Sequence, residues 1–220
     1  AIDRVLQVHD SEQIDIEGKA VLFESGPLAR IPDHLNLKVC LALLDVCGAP
    51  AQAHRLAEKG QTVYIIGAGK SGILCAAAIR RKLGDDCRIL VSDARPAGLE
   101  AFDVLELADR TFVADALNPG ETMDEVAART GGAMADLVIN TANVEGTELT
   151  SVLACRQGGT VYFFNMATNF QKAALGAEGV GMDVRMLVGN GYAPGHAALT
   201  LALYEQMPTV KRWFDSRFGN

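Results

Sequence analysis

The distribution of apolar and polar positions divides the chain at about residue 60. Before it, two short strand-like runs, Ile2 to Val8 and Lys19 to Glu24, flank an acidic, polar connection from His9 to Gly18. Two strands alone are marginal and need a partner surface. From Pro32 the period changes to that of a helix, with Leu37, Cys40, Leu41 and Leu44 on one face, Asp33 as the expected N-cap and Gly48 as the expected stop. Pro50 suits the first turn of a second helix, which carries His54, Arg55 and Lys59 toward its C-terminal end and stops at Gly60.

Beyond Gly60 apolar runs recur with a regular beat: Thr62 to Ile66, Arg88 to Val91, Thr111 to Val113, Leu137 to Asn140, Thr160 to Phe164 and Val184 to Val188. Helical stretches separate most of them. One follows Gly69 and ends on Arg80, Arg81 and Lys82; another opens on Asn118-Pro119 with Glu121, Asp124 and Glu125 in its first turn. Runs as apolar as Val63-Tyr64-Ile65-Ile66 are buried on both faces, as helix-covered parallel sheets require. The predicted fold is therefore α/β: a doubly wound six-stranded parallel sheet of the Rossmann type, with strand order 3-2-1-4-5-6. The segment from Asn165 to Val184 shows only a weak helical pattern.

Gly67-Ala68-Gly69-Lys70-Ser71-Gly72 stands between the first of these strands and an Ala-rich helix. In a G-x-G-x-x-G turn the first glycine permits the tight exit from the strand, the second lets a pyrophosphate approach the backbone, and the third lets helix and sheet pack closely. Asp93, at the end of the next strand, lies 21 residues beyond Gly72. A carboxylate there accepts ribose hydroxyls and repels a 2′-phosphate, which favours NAD over NADP; Arg95, two residues on, is a group that can neutralise such a phosphate or stack on adenine. Two rivals use similar residues. A Walker A loop needs glycine where Tyr64 stands, so ATP hydrolysis is disfavoured, and a methyltransferase holding S-adenosylmethionine would carry an acid just ahead of Gly67, where Ile65 and Ile66 stand.

Further along, Asn140, Thr141, Ala142 and Asn143 end a strand at the expected switch point, where their backbone is expected beside the nicotinamide ribose. Asn165-Met166 and Gly189-Asn190-Gly191 follow the next two strands and are expected on the same edge. His196 falls at a helix start and reads as a capping or surface group. Met207, Trp213, Phe214 and Phe218 form one apolar stripe, read as packing or a subunit contact.

Charge and composition narrow the partners. With 20 Lys+Arg against 27 Asp+Glu, the formal net charge is -7 and no basic block stands out, so nucleic acid is a poor partner. No apolar run reaches the ~20 residues of a membrane span. Five cysteines, odd in number and without a CxxC pair, read as reduced thiols in a cytoplasm, and the four histidines have no metal-ligand spacing. Ala1 stands where an initiator methionine would, and the chain reads as a piece of something longer.

The runs Lys38 to Leu44, Gly60 to Gly69, Asp136 to Ala142 and Gly158 to Val161 resemble the cofactor-binding half of the medium-chain dehydrogenase/reductase family. More narrowly, Leu44 to Gln52, Gly69 to Gly72 and Val188 to Tyr192 are similar to its 3,5-diaminohexanoate dehydrogenase branch. This resemblance implies an NAD-dependent enzyme that transfers hydride from a carbon bearing an amine or hydroxyl, with oxidative deamination of a β-amino acid as the narrower expectation. It also implies a separate β-rich catalytic domain, which supplies zinc ligands when zinc is present and most of the substrate pocket. Residues 1–30 look like the last strands of that domain and residues 31–220 like the cofactor domain. Dinucleotide, a small-molecule substrate and further copies of the chain are the expected partners, and no metal site is expected in this part. A non-catalytic dinucleotide-responsive interaction module and the methyltransferase remain as alternatives.

Overall fold

The computed structural model describes residues 1–9, 14–26, 28–189 and 191–219. They form two compact units that divide after Arg30.

The first unit is an antiparallel pair, β1 (Ile2–Val8) and β2 (Ile14–Gly18), in a register that sets Val5 opposite Ile16 and Val8 opposite Ile14. The second strand thus lies ahead of the expected Lys19–Glu24, inside the stretch taken for a polar connection. β-branched Ile14 and Ile16 alternate with Asp15 and Glu17, a period-two strand pattern that the acids disguise, although every position of the strand is exposed.

In the second unit, α1 (Leu37–Leu44) and α2 (Gly48–Leu56) precede a β/α alternation. Asn36, not Asp33, caps α1: its side chain accepts from the Lys38 and Val39 amides at 2.9 and 3.3 Å. Gly48 begins α2 instead of ending α1, and Lys59 falls beyond the α2 terminus. There follow β3 (Thr62–Ile66), α3 (Lys70–Leu83), β4 (Arg88–Asp93), α4 (Pro96–Leu105), β5 (Arg110–Val113), α5 (Pro119–Thr130), β6 (Ala135–Asn140), α6 (Glu148–Leu153), β7 (Cys155–Phe163), α7 (Phe170–Val180), β8 (Arg185–Val188), α8 (His196–Gln206) and α9 (Pro208–Phe218).

The order β5-β4-β3-β6-β7-β8, parallel throughout, is that of the doubly wound fold, with the switch point between β3 and β6. One apolar layer, including Val63, Ile65, Ile89 and the inner face of α3, packs against α1, α2, α8 and α9. The opposite layer, including Tyr64, Leu90, Val138 and Phe163, lies on the other face. The weakly patterned crossover is a full helix, α7, capped by Asn169 and held through buried Ala173 and Ala177. All five cysteines are buried and unbridged. Among the described residues no helix is long and apolar enough to cross a membrane.

Candidate functional site

The crevice at the carboxyl ends of β3, β4 and β6 is built around the glycine turn. Gly67 leaves β3 with φ +100°, and a Cβ there would lie 2.9 Å from Thr141 Oγ1 and 3.0 Å from the Ala142 amide. A Cβ on Gly72 would stand 2.1 Å from the Gly67 carbonyl oxygen, so only glycine lets α3 start this close to the strand. Gly69 differs: a Cβ there meets nothing within 4 Å, so its outer side faces open space. Gly69 is also the N-cap of α3 and offers no side chain to the first-turn amides of Lys70, Ser71 and Gly72. Such a helix start is suited to an anion.

Asp93, at the end of β4, is brought to this turn. Its Oδ2 accepts from the Ala68 amide and its Oδ1 from the Arg95 amide, both at 2.9 Å. The Arg95 side chain is exposed, with Nε 3.7 Å from Asp93 Oδ1. Two cavities of about 450 Å³ each flank this edge and share Gly69, Asp93 and Arg95. One runs past Ala114 to Leu117 of the loop after β5 and reaches Thr141 and Ala142. The other lies against α4 and α9, where Trp213, Arg217 and Phe218 form its wall.

Thr141 ties β6 to β3: its hydroxyl donates to the Ile66 and Gly67 carbonyls at 3.0 and 3.1 Å. Asn140 is fully buried and spent internally. It donates to Thr147 and Ser151 hydroxyls at 2.8 and 2.9 Å and accepts from the Ala142 amide at 3.1 Å. Its side chain therefore holds the loop, and only the backbone beyond it reaches the crevice. Asn165 lies beside it, with Nδ2 3.3 Å from Asn140 Oδ1, and Asn143 accepts from the Met166 amide at 3.2 Å. Asn190 lies outside the described residues. His196 opens α8, its Nδ1 2.6 Å from the Ala193 carbonyl. Within the C-terminal stripe Phe214 is core, whereas Trp213 and Phe218 are partly buried and line the cavity.

Contributors to this edge that lie outside the sequence prediction include the loop after β5, Val144 and Thr147, the first turns of α4, and α9 with Arg217. The i, i+4 spacing of Trp213 and Arg217 is a helical signal, but nothing local to it names the strand end it returns to. Among the described residues no group of His, Cys, Asp or Glu is placed to hold a metal ion.

The unit has a Rossmann-like α/β fold, and alcohol dehydrogenases are among the solved structures that share it. It superposes on an alcohol dehydrogenase of Thermotoga maritima with a TM-score of 0.61 at 18% identity, over 83% of this chain and 51% of that one. An alcohol dehydrogenase of Thermus sp. ATN1 gives 0.56 at 18% identity, over 84% and 51%. In sequence the chain is homologous to proteins named L-erythro-3,5-diaminohexanoate dehydrogenase. It is 41% identical to that of Acetoanaerobium sticklandii over 219 residues and 38% identical to that of Fusobacterium nucleatum over 221 residues. These alignments take in 99% and 97% of this chain but span 64% and 63% of the relatives' own lengths. No protein-family model matches the sequence.

Proposed function

We propose that the unit beginning at Ile31 binds NAD and is the cofactor half of a medium-chain-type dehydrogenase that oxidises an amine- or hydroxyl-bearing carbon. Oxidative deamination of 3,5-diaminohexanoate, the substrate in the relatives' names, is the particular reaction. Residues 1–30 are the closing strands of the catalytic domain. The carrying observation is the Asp93 carboxylate fastened to the Ala68 amide inside the glycine turn.

In this reading the amides of Gly69, Lys70, Ser71 and Gly72 hold the diphosphate, with the α3 dipole adding to the attraction. Asp93 has two oxygens, each with one lone pair committed to an amide, which leaves acceptor capacity for ribose hydroxyls. Its charge sets it against a 2′-phosphate. Arg95 covers the adenosine end, while the Thr141 and Ala142 backbone and Asn165 lie toward the nicotinamide end. The bound cofactor supplies hydride transfer at its nicotinamide ring. The protein's task is to fix that ring against the substrate and exclude water.

Trp213, the chain's single tryptophan, lines a cavity that shares Asp93, so NADH binding is read as energy transfer from its emission. Saturable transfer, displaced by NAD, is the expected result. A linear, unsaturable response would refute cofactor binding.

A further inference from the structure

Lys70 is the basic residue within the glycine turn and opens α3. Its ammonium lies 2.6 Å from Asp45 Oδ2, and this is the carboxylate's ion pair among the described residues. Asp45 closes α1. The turn that follows it is pressed onto the loop after β8: a Cβ on Gly48 would come within 2.4 Å of Gly191 Cα. Asp45 therefore stands where the segments after β3 and β8 converge, at the strand ends that bind ligands in this fold. Its side chain keeps 65% exposure, against 31% for Lys70.

The first residue of the helix start suited to a diphosphate thus carries an ammonium that is paired with a carboxylate. An exposed ion pair is weakly held, whereas a charge-assisted bond to a phosphate already gripped by main-chain amides is among the stronger contacts. Lys70 has a flexible stem and a rotatable donor head, so it can exchange one partner for the other without movement of the backbone.

Building on the dinucleotide reading, we infer that Lys70 and Asp45 form a charge exchange that couples the cofactor to an amine substrate. Bound diphosphate takes the Lys70 ammonium and leaves the Asp45 carboxylate unpaired at the rim, where it accepts a substrate ammonium group. A substrate with only hydroxyls gains nothing from this carboxylate, so the exchange selects for amines. The coupling is reciprocal: an ammonium on Asp45 releases Lys70 and tightens the dinucleotide.

The test is NADH titration of the unaltered chain, Asp45→Asn, Lys70→Met and the double variant. Asp45→Asn removes the competitor and tightens NADH about two- to fivefold. Lys70→Met weakens it about tenfold, and the double variant binds like Lys70→Met alone. An Asp45→Asn variant with unchanged or weaker NADH affinity overturns the exchange. So does equal tightening with and without Lys70, which is the long-range effect of one lost negative charge. The amine half is read by adding 1,3-diaminopropane against sodium chloride at equal ionic strength. NADH affinity rises in the unaltered chain and stays flat in Asp45→Asn; no rise in the unaltered chain refutes that half. If the unaltered chain does not bind NADH, the dinucleotide reading falls and this inference with it. If it binds and the Asp45 series is flat, only the exchange falls.

Discussion

Asp93→Asn separates the hold of this carboxylate on the glycine turn from its proposed role at the ribose. The side chain is 13% exposed and its two oxygens each accept one backbone amide at 2.9 Å, from Ala68 and from Arg95. Asparagine brings one oxygen, so one of the two amides must face an NH₂ group. A charge-assisted bond is lost and a donor is left unmatched, about 2 kcal/mol in all. For a chain of this size that is a fall in Tm of about 4–8 °C, and it appears with no dinucleotide present. The assay is thermal and urea unfolding by circular dichroism, followed by NADH titration of the folded variant below its transition. Two weakened ribose contacts add a further loss of about 2 kcal/mol, or about thirtyfold in affinity. Unchanged stability would refute the role of Asp93 in fastening the turn. Lower stability with undiminished NADH affinity would refute its role at the ribose.

Gly72→Ala places a methyl 2.1 Å from the Gly67 carbonyl oxygen; the helix start must shift, costing about 1–3 kcal/mol, and NADH binding is lost, whereas an unchanged NADH titration contradicts the packing argument. Tyr162 buries a hydroxyl that lacks a hydrogen-bond partner among the described residues, so Tyr162→Phe raises unfolding free energy by about 1 kcal/mol; a clear loss in urea titration contradicts this. Burial pushes the Cys87 thiol up to about 11 and Cys155 to about 12. At pH 8 the native chain therefore resists iodoacetamide and the urea-unfolded chain takes five equivalents by mass spectrometry; rapid native labelling is the contrary result. Burial, then Lys82 and Arg81, hold His54 below the usual imidazole range. The unfolded chain thus takes up the proton first as pH falls through about 6.5, so this contribution to stability is present above that pH and lost below it. His54→Gln flattens the slope of urea midpoint between pH 7 and 5, and an identical slope in both proteins would count against it.

Much of the fold was legible because its signals are local. Val63 to Ile66, the glycine turn and the Ala-rich start of α3 are contiguous, and Asp93 follows at a spacing that strand length and crossover geometry dictate. Where two local signals competed, the less obvious one won. Asn36 caps α1 because it immediately precedes Leu37, although Asp33 is as good a capping residue by type. Gly176 and Gly179 lower the helical signal of α7, yet Ala173 and Ala177 at i, i+4 bury its inner face. What sequence did not reveal depends on the chain returning from afar. Trp213 and Arg217 reach the edge beside Asp93 only because α9 packs over α1 and α4, and Lys70 meets Asp45 because α1 ends where α3 begins.

The residues named for ligand contact divide by how their side chains are used. Asn140 spends both of its Nδ2 donors on Thr147 and Ser151, and Thr141 spends its hydroxyl on two carbonyls. They fix the crevice wall but present mainly backbone to it. What remains to attract an anion is the amide edge of α3 together with Lys70, Arg95 and Arg217, in a chain whose formal charge is -7. At physiological ionic strength charges beyond about 8 Å are largely screened, so distant acids repel a dinucleotide weakly and the acids at the rim decide. Of those lining the cavities, Asp93 is fastened by two amides and Asp115 accepts from the Leu117 amide at 2.9 Å, while nearby Asp45 is paired with Lys70. On the proposed reading the Asp93 charge stays fastened when a diphosphate binds, whereas Asp45 gives up Lys70 to it, so the α3 amides and the basic side chains must outweigh one freed carboxylate.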